Sequence, residues 1–70
     1  MKAPKPENIG RFARSIESGW LGKIIDVDGE FYKMRGVNTL CLTVAGGTAD
    51  EWLDDDDTQW FTPDDVVFVK

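Results

Sequence analysis

Asp28-Gly29 stands between two runs of strand-forming residues, 20–27 and 30–37. No other feature limits the fold as much. Asp-Gly between two such runs is the strongest short-range signal for a β-hairpin, because both central residues of a type I′ turn need positive φ. A two-residue loop at Asp28-Gly29 sets Val27 opposite Glu30, Asp26 opposite Phe31, Ile25 opposite Tyr32 and Lys23 opposite Met34. Side chains alternate across a strand. This register therefore groups Leu21, Ile25, Val27, Tyr32 and Met34 on a core face, and Ile24, Phe31 and Lys33 on the other. The second face is too apolar for water and calls for a cover, either an N-terminal helix or a partner.

The flanking segments supply both kinds of element. Ile9, Phe12, Ala13 and Ile16 recur at helical spacing and predict a helix over residues 7–18, stopped by Ser18-Gly19. Residues 1–6, with Pro4 and Pro6, read as a flexible tail. Leu40, Leu42 and Val44 alternate with Cys41 and Thr43 and predict a third strand. Ala45-Gly46-Gly47 ends it. Thr48 and Glu51 have the spacing of a capping box. Residues 54–57 read as a loop, 58–61 as a fourth strand and 66–69 as a fifth. Between those last two, Thr62-Pro63-Asp64-Asp65 places a capping residue before a proline at a helix start, which predicts one helical or 3₁₀ turn. The expectation is a mainly β, single domain over residues 7–70.

Seventy residues make one domain at most. A chain this short buries only about 60% of its unfolded surface, so each buried aromatic matters. A lone cysteine, Cys41, forbids an internal disulfide, and with no histidine it cannot build a zinc site. Cys41 reads as a packed side chain, because no imidazole is available to activate it. Asp26-Val27-Asp28-Gly29-Glu30 departs from a calcium loop in its glycine position. Gly46-Gly47 lacks the lysine of a phosphate loop. No enzyme activity, cofactor or metal is expected. No run approaches the ~20 apolar residues of a membrane span, and no secretory signal follows Lys2 and Lys5. The single thiol fits a reducing compartment, so a cytoplasmic location is expected.

Charge points to a partner. Residues 1–23 carry five bases against two acids, whereas 36–70 carry one base against eight acids. A strong negative field attracts basic surfaces and repels phosphate. The candidate site is therefore Asp50, Glu51, Trp52, Asp54, Asp55, Asp56, Asp57 and Trp60, taking a protein partner with a basic surface. Such a module would act as an inhibitor or adaptor, or as a nucleic-acid mimic. Trp52 is expected to be the exposed anchor and Trp60 a core residue. A solvated acidic loop that only confers solubility is the competing reading. Phe31, Trp52, Trp60 and Phe61 are a further candidate set, a groove for an extended peptide. Two other functions remain open. Nucleic acid would use Lys2, Lys5, Arg11 and Arg14 with exposed aromatics, against a sequence pI of about 4.4. A structural subunit of a larger assembly would need none of these.

The strand-turn-strand LGKIIDVDGEFYKM, the following LCLTV and the closing WFTPDDVVFV resemble an SH3-like small β-barrel. In such barrels a single tight turn commonly separates the fourth and fifth strands. The resemblance covers residues 20–70 and implies a five-stranded barrel, with an acidic insertion at 46–57. It implies no functional residue, because fold does not fix function. The compact acidic character also looks like the small accessory proteins of bacteriophage genomes.

Overall fold

The computed structural model describes residues 3–69. Of the tail expected at the start, Met1 and Lys2 lie outside the described residues. The hairpin is present, with its turn one residue later than expected. Strand β2 is Leu21–Asp28 and strand β3 is Phe31–Val37. The turn is Gly29-Glu30, with Gly29 at φ 62° and no described non-glycine residue at positive φ. Positive φ at the first central position alone is the pattern of a type II′ turn, which wants glycine there. Asp28 therefore pairs with Phe31, Val27 with Tyr32 and Asp26 with Lys33. A bulge then leaves Ile25 between partners and sets Ile24 opposite Met34. An extra residue reverses the alternation beyond it. Ile24 takes the core position expected for Ile25, and Ile24 and Met34 are fully buried.

The expected N-terminal helix over 7–18 does not form. Pro6–Asn8 makes one 3₁₀ turn, Gly10 takes φ 99°, and Phe12–Ser15 is a strand, β1. A helix of this length is marginal in isolation, whereas β1 finds a partner on both sides. Ala13 pairs with Gly22 of β2 and with Phe68 of the last strand. Ala13 and Ser15 point into the core, and Ile9 and Ile16 of the supposed apolar stripe are left exposed.

The expected third strand is also a helix. Thr39–Ala45 forms α1, capped by Asn38, whose side chain accepts from the Cys41 N–H at 3.1 Å. Gly46, at φ 78°, ends it and donates its N–H to the Leu42 carbonyl. A short apolar run fits either state by pattern alone; the cap before it and the glycines after it favour helix. A 3₁₀ turn, Ala49–Trp52, follows where the capping spacing placed a helix start, but the Thr48 hydroxyl makes no capping bond.

Strand β4 is Leu53–Phe61, a 3₁₀ turn covers Pro63–Asp65, and β5 is Val66–Phe68. The protein is thus mainly β: one antiparallel five-stranded sheet in the order β4-β3-β2-β1-β5, with one helix and three 3₁₀ turns among the described residues. β4 and β5 lie on opposite borders, yet four residues, 62–65, join them. Four steps of about 4.8 Å separate the borders of a flat sheet by ~19 Å. The connection reaches ~17 Å when fully extended, and a 3₁₀ turn shortens it. The sheet must therefore curl. It does not close, since no pairing joins β4 to β5 among the described residues.

Inside the curl lie Ala13, Ile24, Tyr32, Met34 and Val66, flanked by Trp20, Val27, Phe61 and Phe68. The Tyr32 hydroxyl accepts from the Lys5 N–H and the Asn8 side-chain amide at 3.0 and 2.9 Å, which ties the first 3₁₀ turn to this core. Gly22 and Gly36 are cross-strand partners, and the Trp20 ring lies on both. A Cβ at Gly22 would come within 2.6 Å of that ring, so only glycine lets the indole seat against Phe61, 5.1 Å away between centroids.

Candidate functional site

The four consecutive aspartates form neither a plain loop nor a regular strand. β4 pairs with β3 from Phe61 (opposite Tyr32) to Thr58 (opposite Arg35), and the next pair is Leu53 with Val37. One residue of β3, Gly36, thus faces four of β4. Asp54, Asp55, Asp56 and Asp57 are extruded as a large bulge of four residues against one, the arrangement that lets adjacent like charges reach water. The Asp54 carboxylate accepts from the Asp56 N–H at 3.0 Å and shapes the bulge. Asp55 reaches the Arg35 guanidinium at 3.5 Å, while Asp57 folds back over Gly36.

The remaining candidates from the sequence do not gather around this bulge. Asp50 pairs with Lys23 at 2.8 Å. The Glu51 carboxylate rests against Gly47. Trp52, expected to be the exposed anchor, is half-buried, and its indole N–H donates to the Gly46 carbonyl at 2.8 Å. It fastens the 3₁₀ turn to the end of α1.

Trp60, expected in the core, is the exposed tryptophan, at 48%. Cross-strand partners share a face. Phe61 pairs with buried Tyr32, so Trp60, paired with Lys33, must point outward. Its indole N–H donates to the Asp28 carboxylate at 3.0 Å, and the Lys33 ammonium stands 5.8 Å from its ring. Trp60 lies about 10 Å along the strand from Asp57.

Beside Trp60 is an open depression of about 430 Å³, walled by Ile16, Phe31, Trp60 and Phe61 and rimmed by Glu17 and Asp64. Three of the four aromatics expected to form a peptide groove meet here; Trp52 does not. Asp65 builds the rim. Its carboxylate accepts from the Ser15 hydroxyl at 3.0 Å and the Glu17 N–H at 3.1 Å, and its carbonyl accepts from the Ile16 N–H at 2.8 Å. Ser15 is buried, so this latch holds the β1–β2 loop against the last 3₁₀ turn. Ile16, Glu17 and Asp64 are the site residues that sequence reasoning missed. The Thr62-Pro63 turn signal marked where Asp64 sits, but nothing local announced the latch.

No described helix is long and apolar enough to cross a membrane. Comparison with family models, curated proteins and solved structures finds no match to this chain.

Proposed function

We propose that the protein is a small non-enzymatic interaction module that receives a basic segment of a partner protein in the depression beside Trp60. One observation carries this reading: a half-exposed tryptophan, oriented by Asp28 and set beside exposed Phe31, with Glu17 and Asp64 at the rim. Leaving a large apolar side chain in water forgoes roughly 1.5–3 kcal/mol of burial. Tryptophan is also enriched among the few residues that dominate binding energy. Among the described residues, neither Glu17 nor Asp64 is engaged in an ion pair. They are available to a cation that stacks on the indole.

The aspartate bulge has a different part in this reading. It stands away from the depression and contributes field rather than contact, which speeds the approach of a basic partner. Inhibitor and adaptor are both compatible with such a module. A nucleic-acid role has less support. Arg11 lies 3.9 Å over Phe68, and Arg14 donates to the Gly19 carbonyl, so both already have internal work. The SH3-like reading of the fold draws support from the hairpin and from the single 3₁₀ turn between β4 and β5. Helix α1 in place of the LCLTV strand, and the open sheet, depart from it.

The test is titration calorimetry against the partner captured by the native protein in the presence of nuclease. Trp60→Ala is expected to remain folded and to lose ~2 kcal/mol or more of binding. Unchanged affinity in that variant would remove the reading.

A further inference from the structure

The border formed by β5 is a bare sheet edge. Ile16 donates its N–H to the Asp65 carbonyl, and Val69 donates its N–H to the Phe12 carbonyl. Antiparallel bonds alternate along a strand, so the backbone of Val67 faces β1 and that of Val66 and Phe68 faces outward. No hydrogen bond reaches the N–H or C=O of Val66 or Phe68 among the described residues. Natural edges are blunted by shortness, charge, proline or a bulge. β5 is short, three residues, but carries no charge, proline or bulge, and Val67 and Val69 are 51% and 41% exposed along it. An open depression of about 520 Å³ runs beside this border, between Pro63, Val66, Val67 and Phe68 on one side and Ala3, Lys5, Asn8 and Tyr32 on the other.

We propose that β5 pairs antiparallel with β5 of a second copy of this chain, about a two-fold axis at Val67. Charge selects this occupant and its direction. Asp64 and Asp65 precede the strand, and the Arg11 guanidinium lies over its last residue, Phe68. Antiparallel self-pairing sets the acidic start of each strand beside the basic end of the other, twice. Parallel pairing would set like against like. The outward groups of Val66 meet those of Phe68 on the other copy, and the symmetry makes one surface patch complementary to itself. Val67 faces its own counterpart as a non-hydrogen-bonded pair, with Cα atoms about 4.5 Å apart.

That spacing defines the experiment, because a disulfide spans Cα separations of about 4.4–6.8 Å. Val67→Cys in a Cys41→Ser background is expected to give a disulfide-linked dimer under mild oxidation. In the unmodified protein, sedimentation equilibrium is expected to show a dimer as concentration rises. The amides of Val66 and Phe68 should then slow in hydrogen exchange, while that of Val67 is protected throughout. Val67→Lys, at an exposed position, should raise the dimer dissociation constant about tenfold by opposing two ammonium groups on the axis. A protein that stays monomeric, with the introduced thiol of the Val67→Cys variant unlinked, overturns the proposal. So does a dimer in which the Val66 and Phe68 amides stay fast, since the interface then lies elsewhere, as on exposed Leu40 and Val44 of α1.

Discussion

The two borders of the sheet solve the same problem in opposite ways. β4 carries a four-aspartate bulge that breaks its edge and surrounds it with negative charge. β5 is three residues long, apolar, unbroken and uncharged. A bulge and repelling charges together deny a template to an incoming strand. The β5 border has neither bulge nor charge of its own and is blunted only by its shortness, and its outward amides stay unpaired in the single chain. If β5 pairs with a second copy as proposed, the acidic run blunts one edge and leaves the other for strand pairing. The borders also differ in what holds them. β4 is supported from within by Trp20 resting on the Gly22–Gly36 pair, and β5 by the Ser15–Asp65 latch.

Removing the support of β4 should have the largest effect. Trp20→Ala leaves a void beside Phe61 and is expected to cost about 3 kcal/mol in urea denaturation, enough to unfold much of so small a domain. A loss below ~1 kcal/mol would mean that the glycine pair is not a seat for the indole. Opening the latch on the β5 side comes next. Asp65→Ala leaves the buried Ser15 O–H without its acceptor, although the oxygen still accepts from the Ser18 N–H, and should cost about 2 kcal/mol. Backbone amides of β5 should exchange faster than those of β3 in that variant; equal acceleration in both would argue against a local latch.

The hairpin that joins the two halves gives a smaller effect. Gly29→Val places a β-branched residue at φ 62° and should cost more than ~1 kcal/mol by the same denaturation measurement. An unchanged midpoint would contradict the turn assignment. Smallest is the effect of neutralising the bulge. Changing Asp54, Asp55, Asp56 and Asp57 together to Asn should alter stability by no more than about 0.5 kcal/mol per site. The Asp55–Arg35 pair at 3.5 Å is exposed and adds little. Partner association should slow and lose salt dependence while dissociation hardly changes. A large change in dissociation would move the aspartates from field to contact.

Much of the local structure was legible from residue chemistry. Glycine at the β2–β3 turn, Pro63 at a helix start and the run Val66-Val67-Phe68 each produce their element through φ preference, a missing N–H or β propensity. The candidate site was legible only in its ingredients. Trp60, Phe31 and Phe61 could be named as groove aromatics, but Trp52 and Trp60 exchanged places. Trp52 has few apolar neighbours in the 46–57 segment, yet finds the Gly46 carbonyl through the fold of α1. Trp60 alternates like a core residue, yet its partner is Lys33. Exposure in a strand follows from which residue lies across, and that is not written beside the tryptophan.

By itself the sequence determined a β-rich chain, the place of its hairpin, the 3₁₀ turn before the last strand and the separation of positive from negative charge. These depend on the conformational limits of single residues and on composition, which no distant contact changes. Tertiary structure decided that Phe12–Ser15 is a strand, that Thr39–Ala45 is a helix, and that the bulge at Ile25 puts Ile24 inside. It also decided which tryptophan faces water. In each of these, local preference is nearly balanced, and a partner far along the chain supplies the difference. Ala13 becomes a strand residue because Gly22 and Phe68 lie on either side of it.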